Sequence, residues 1–216
     1  IDMMRATPAA AVLAPPPHEG DNTTHFSVAD AFGNAVSNTT TLNFSYGVGL
    51  AAEGTGVLLN NQLDDFTAAP GAANAFGLVG FEANLPGPGK RPLSSMTPTI
   101  VLKDGRPVLV TGSPGGSRIV STVLQVIVNV LDYDMNIAAA VQAPRLHHQW
   151  LPDQMAVEPF ALSPDTRGKL EAMGHKVVEQ SEWGAAEAIL IGPAEVATDA
   201  TANSGNDAMA KRKPVP

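Results

Sequence analysis

Lys103-Asp104-Gly105-Arg106 separates two apolar, β-branched runs, residues 99–102 and 107–111. An Asp-Gly pair supplies the positive φ that a two-residue turn requires, so these runs are expected to pair antiparallel. The pattern repeats upstream, where residues 24–30 and 35–42 flank the turn Ala31-Phe32-Gly33-Asn34. After the second hairpin come Gly112-Ser113-Pro114-Gly115-Gly116-Ser117 and a helical pattern. Val120, Val123, Leu124, Ile127 and Leu131 recur at the 3.6-residue period and are expected to share its buried face. A second helix is expected over 137–142, ended by Pro144. A third starts at the cap Ser163, takes Pro164 as its first residue and stops at Gly174. Residues 188–191 read as a buried strand. Hairpins with helices interposed late point to an α+β fold rather than a doubly wound α/β sheet.

Composition bounds the function. The chain has 216 residues, 44% of them hydrophobic, enough for one large domain or two small ones. Lys and Arg total 13 against 21 Asp and Glu, and the resulting net charge of −8 argues against a nucleic-acid partner. The basic cluster Lys211-Arg212-Lys213 reads as a solvated tail. The absence of cysteine excludes disulfides, thiolate metal sites and a cysteine nucleophile. The longest apolar stretch, residues 119–131, is interrupted by Ser121, Thr122, Gln125 and Asn129 and does not read as a membrane span. Residues 1–22 read as a linker, with Pro15, Pro16 and Pro17 enforcing extended backbone. Residues 193–216 are weakly patterned. The chain opens on Ile1, with no basic region leading into an apolar one, and is expected to be the C-terminal part of a longer protein.

Several segments carry candidate chemistry. Thr23, at the edge of the first strand, is either a β-branched sheet residue or a nucleophile freed by cleavage of the Asn22–Thr23 bond. In the second case its own α-amine, with a pKa near 8, serves as the base that a threonine hydroxyl needs. Gly112 to Ser117 matches neither a P-loop nor a dinucleotide fingerprint. It is a tight strand-to-helix turn or a set of N–H groups facing a developing oxyanion. Asn60-Asn61-Gln62-Leu63-Asp64-Asp65 is a solvated turn or an ammonium-binding group centred on Asp65. Ser94 and Ser95 form a plain turn or donate to a carboxylate. His147 and His148 are adjacent and have no evident third ligand, so no metal site is expected.

Taken together, Thr23-Thr24-His25-Phe26-Ser27-Val28, Leu58 through Phe66, Arg91-Pro92-Leu93-Ser94-Ser95-Met96, Thr111 through Ser117 and Ala143 through Asp153 resemble the small subunit of the γ-glutamyltranspeptidase (glutathione hydrolase) family. The resemblance spans residues 23–192. It implies a four-layer αββα sandwich of the N-terminal-nucleophile hydrolase type, and a precursor that cuts itself before Thr23. Residues 1–22 would then be the linker, or the tail of the large subunit. By the same resemblance Thr23 is the nucleophile, Thr41 orients it, and Gly115 and Gly116 form the oxyanion hole. Asn43, Gln62 and Asp65 would hold the substrate ammonium, and Ser94 and Ser95 its carboxylate. The implied reaction is γ-glutamyl hydrolysis or transfer, from glutathione and other γ-glutamyl donors to water or to amino-acid or peptide acceptors. No metal or organic cofactor is implied. The large subunit, from the same precursor, would supply a carboxylate-binding arginine, and the location would be periplasmic or secreted. Residues 70–77 match a loop that covers the substrate in several bacterial members. Phe76 stands at its tip, where a tyrosine often sits. Two other readings remain: a cephalosporin (glutaryl) acylase using Thr23 identically, and an uncleaved glutamate-binding relative without catalysis.

Overall fold

The computed structural model describes residues 23–192. The expected linker, residues 1–22, and tail, residues 193–216, lie outside the described residues. Strands β1 (Thr23–Ala29) and β2 (Ala35–Thr41) pair antiparallel in the register Thr23↔Thr41 through Ala29↔Ala35. Asp30 closes the hairpin by accepting from the Phe32 and Asn34 amides at 2.9 and 2.8 Å. Strands β3 (Thr99–Lys103) and β4 (Arg106–Gly112) form the second hairpin. Its two turn residues, Asp104 and Gly105, have φ of 52° and 76°, as a two-residue turn demands.

Strand β8 (Glu187–Leu190) adds to β4 antiparallel, giving the order β3-β4-β8. The two-residue period sorts the faces of these strands. Thr23, His25 and Ser27 share the β1 face that turns toward β4 and β8: the His25 ring abuts Gly112, and the Ser27 hydroxyl donates to the Glu187 carbonyl. Ser37 of β2 likewise donates to the Thr111 carbonyl at 2.9 Å. The opposite face of β1–β2 leaves Phe26, Val28 and Val36 exposed.

Helices α1 (Ile119–Leu131) and α2 (Ile137–Gln142) pack on the other side of β4 and β8. Leu109, Val126, Val130, Ile137, Ala140, Val141, Ala186 and Ala188 form this core. Each large aliphatic side chain there contributes roughly 1.5–3 kcal/mol by leaving water. Helix α1 is rich in β-branched residues, which are indifferent helix formers, so packing holds it. The buried residues of α1 are Ile119, Thr122, Val123, Val126 and Val130. This corrects the expected face: Val120, Leu124 and Leu131 are exposed. A helix apolar on most sides carries two overlapping stripes, and periodicity alone does not choose between them.

Helix α3 (Pro164–Ala172) begins as expected, with Ser163 accepting from the Thr166 amide. A small sheet not anticipated from sequence joins β5 (Leu146–His147), β6 (Met155–Val157) and β7 (Val177–Glu179), in that order. Among the described residues no helix is long and apolar enough to cross a membrane.

Candidate active site

Thr23 opens β1 opposite Thr41, the last residue of β2. Its hydroxyl donates to Thr41 Oγ1 at 3.1 Å. The same oxygen accepts from the Asn43 amide at 2.9 Å. Asn43 is buried and has φ of 77°, a left-handed conformation that asparagine tolerates better than most residues. Its side chain donates to the Asn61 carbonyl at 3.3 Å, one residue before the 3-10 turn Gln62–Asp65. The Asn60 carboxamide starts that turn by accepting from the Gln62 amide at 3.0 Å.

Asp65, Ser94 and Ser95 line one cavity of about 270 Å³, together with Leu78, Val79 and Ser117. Burial, reinforced by the neighbouring charge of Asp64, raises the Asp65 carboxyl to about 6. An ammonium beside it would offset both effects by stabilising the ionised carboxylate. Gln62 and Asn43 are not among the residues lining this cavity; they adjoin it through the Asn61–Gln62 connection.

Gly115 and Gly116 turn β4 into α1 with φ of 135° and 55°, a succession that side chains resist. Two contacts fix the turn from beneath. The Ser113 hydroxyl donates to the Pro114 carbonyl at 2.6 Å and accepts from the Ala185 amide at 3.2 Å. A β-carbon at Gly115 would stand 3.6 Å from Gly184 Cα, so the neighbouring backbone passes close below. Phe76 covers the turn from above: a β-carbon at Gly116 would meet its ring at 2.8 Å. The ring meets Phe44 edge-on, with 6.1 Å between centroids.

Trp183, the residue before Gly184, is held by a buried ion pair. Arg145 donates to Glu158 Oε1 at 3.3 Å and to the Trp183 and Val141 carbonyls at 2.9 and 2.7 Å. Glu158 in turn accepts from the Trp183 and Arg145 amides, both at 2.8 Å. His147 and His148 turn to different partners, Ser121 and Gln149 for the first and Asp153 for the second. Sequence reasoning gave no role to Gln149, whose side chain reaches the loop bearing Phe76, nor to Asp64, which accepts from the Ala75 amide at 3.4 Å. Both lie inside motifs quoted for the family, but only the folded chain shows what they touch.

The fold is a mixed α/β sandwich of the N-terminal-nucleophile hydrolase type, the architecture of the γ-glutamyltranspeptidase structures on which it superposes. The Gamma-glutamyltranspeptidase family model matches residues 2–211, and the chain belongs to that family. It is 55% identical over 197 residues to the glutathione hydrolase proenzyme of Escherichia coli (strain K12), covering 89% of this chain and 33% of the relative. With the corresponding proenzyme of Pseudomonas sp. (strain A14) it shares 54% identity over 177 residues, 82% of this chain and 31% of the relative. The chain therefore spans about one third of the curated relatives it matches. A crystal structure of a mutant γ-glutamyltranspeptidase from Helicobacter pylori superposes with a TM-score of 0.76 at 55% identity, covering 79% of this chain and 91% of that one. A cephalosporin acylase from Bacillus halodurans superposes less well, at 0.62 and 28% identity, covering 75% of this chain and 28% of that one.

Proposed function

We propose that this chain is the catalytic small-subunit region of a γ-glutamyl-transferring hydrolase that acts on glutathione and related γ-glutamyl compounds. The observation that carries the reading is the Thr23–Thr41 hydroxyl pair at 3.1 Å, at the first rung of the β1–β2 ladder. Thr23 Oγ attacks the Asn22 carbonyl, the acyl group shifts from nitrogen to oxygen, and water hydrolyses the ester. The Thr23 α-amine is now free. It takes the hydroxyl proton when Oγ attacks the γ-carbonyl of a donor, and returns it to the departing amine, for glutathione cysteinylglycine. The Gly115 and Gly116 N–H groups stabilise the tetrahedral oxyanion. Water or an acceptor amine then breaks the γ-glutamyl ester.

Asp65, assisted by Gln62 and Asn43, reads the donor's ammonium, and Ser94 and Ser95 donate to its carboxylate. A glutaryl side chain has no ammonium, so a carboxylate in the pocket favours the γ-glutamyl head group over the acylase substrate. The greater identity to glutathione hydrolases supports the same choice. Residues 1–22 precede the cut, 23–192 carry the catalytic fold, and 193–216 form a tail. The partner is the large subunit of the same precursor, and the mature enzyme works outside the cytoplasm.

The test is intact mass and N-terminal sequencing of the full-length gene product after incubation at neutral pH, beside Thr23→Ala. A fragment starting at Thr23 in the wild type alone, with release of p-nitroaniline from its γ-glutamyl derivative, is expected. A folded wild type that stays uncut and binds glutamate without turnover overturns the reading in favour of a binding relative. Preferred turnover of glutaryl-cephalosporin overturns it in favour of the acylase.

A further inference from the structure

Residues 71–80 form a small hairpin, bridged at Ala73↔Val79 and closed by the Gly71 amide on the Gly80 carbonyl at 2.8 Å. Its tip is a tight turn in which Asn74 Oδ1 accepts from the Phe76 and Leu78 amides, both at 3.0 Å. One side of the hairpin, with Ala72, Asn74, Leu78 and Val79, is a wall of the Asp65–Ser94–Ser95 cavity. The tip puts Phe76 over Gly116.

The Gln149 carboxamide grips this tip. Its nitrogen donates toward the Phe76, Gly77 and Leu151 carbonyls at 3.4, 3.2 and 3.2 Å. Three carbonyl oxygens on one side require the NH₂ to face them, which leaves Oε1 for His147 Nε2 at 2.9 Å. His147 Nε2 is therefore the protonated nitrogen, and Nδ1 lies 2.8 Å from the Ser121 hydroxyl on α1, whose single hydrogen it shares with the Arg118 carbonyl at 3.0 Å. One continuous strut runs from α1 through His147 and Gln149 to the loop over the start of the same helix.

We propose that Gln149 is a positioning residue that clamps the 71–80 hairpin over Gly116 and so governs how much water reaches the site beneath Phe76. Gln149 acts through Phe76 and touches no reacting atom. Its kinetic consequence rests on the γ-glutamyl reading above: with the clamp intact, the Thr23 ester is shielded and an acceptor amine competes well with water. With the clamp released, hydrolysis gains.

The decisive variant is Gln149→Glu in the full-length, processed enzyme. It keeps the shape and the acceptor for His147, and offers the three carbonyls a carboxylate without hydrogens. Two readouts are taken. Amide exchange over residues 70–80 is expected to rise about tenfold, with the β-sheets unchanged, as befits loss of two modest hydrogen bonds. The ratio of hydrolysis to transfer at fixed acceptor concentration is expected to rise about fivefold. Phe76→Ala should give the same rise, and the double variant no more than Phe76→Ala alone. Gln149→Ala serves where Gln149→Glu does not fold. Unchanged exchange in both Gln149 variants overturns the clamp. So does a Gln149→Glu effect that persists in full in the Phe76→Ala background. Should the enzyme show no γ-glutamyl turnover at all, that fails the functional reading, and the exchange measurement still decides the clamp.

Discussion

The imidazole of His25 fills the space that a side chain at Gly112 would need. This contact sets the spacing between the strand that starts with Thr23 and the strand that ends at the glycine turn. His25 is buried, so the ring has no room to retreat. Gly112→Ala is expected to cost about 1–3 kcal/mol, the range for overpacking a well-filled interior. Denaturant titration of the full-length protein measures it; a loss below about 0.5 kcal/mol would show that the two strands slide apart freely.

His25 also makes the fold acid-sensitive. Ser27 donates to the Glu187 carbonyl and so accepts from His25 Nε2 at 3.1 Å, leaving Nδ1 to accept from Thr39 at 2.8 Å. Both nitrogens are satisfied in the neutral ring, and burial lowers its pKa from 6.5 to about 4. The unfolded chain binds the proton first. Stability from this group is full above pH 6.5 and is lost as pH falls through 6.5 toward 4. Unfolding free energies at pH 7, 5.5 and 4 should show the decline, and His25→Asn should flatten it.

Asp65 gives a different pH signature, in substrate capture. Its carboxyl, raised to about 6, must be ionised to hold an ammonium. kcat/KM for a γ-glutamyl donor is therefore expected to fall about tenfold per pH unit below that point. Asp65→Asn should lower kcat/KM and abolish the acid limb. The stability effect has the opposite sign to that of His25, because a raised carboxylate pKa makes the folded state the tighter proton binder.

Thr41 offers a test of orientation. Its Oγ1 receives both the Thr23 hydroxyl and the Asn43 amide. Thr41→Val keeps the shape and removes the acceptor. Self-cleavage and donor turnover are expected to slow about a hundredfold, since small misplacements of a nucleophile are costly. The fold should lose only about 1 kcal/mol. Thr41→Ser, which keeps the hydroxyl, should recover most of the rate.

The Arg145–Glu158 pair supports the glycine turn from below, through Trp183 and Gly184. Both side chains are buried, and Glu158 is only 3% exposed. Glu158→Ala leaves a guanidinium without its counter-charge and two amides without an acceptor. The expected loss is about 3–5 kcal/mol in unfolding free energy, readable by thermal and denaturant melts.

The hairpins were legible because their turns are chemical: Asp104-Gly105 and the Asp30 to Asn34 loop dictate backbone signs locally. Helix α3 was legible for the same reason, from Ser163 and Pro164. The buried face of α1 was not, because apolar residues surround that helix and the choice belongs to the sheet it packs on. The β5–β6–β7 sheet was missed because two- and three-residue strands carry no periodicity. Thr23, Asp65, Ser94, Ser95 and the glycines drew notice in the sequence through their motifs, and the fold brings Asp65, Ser94 and Ser95 to one cavity. Gln149 drew none, because its role lies in carbonyls of residues 76, 77 and 151, and a backbone acceptor has no sequence signature.

Among the described residues the β1–β2 ladder begins at Thr23, opposite Thr41. A peptide cut immediately upstream leaves every rung among the described residues in place. On the proposed reading the event exchanges an amide for an amine at a fixed address, and the Thr23–Thr41 rung that aims the threonine lies wholly downstream of the cut. Activation by such a cut, on that reading, is a change of charge and of chain end made on strands that are already paired downstream of it.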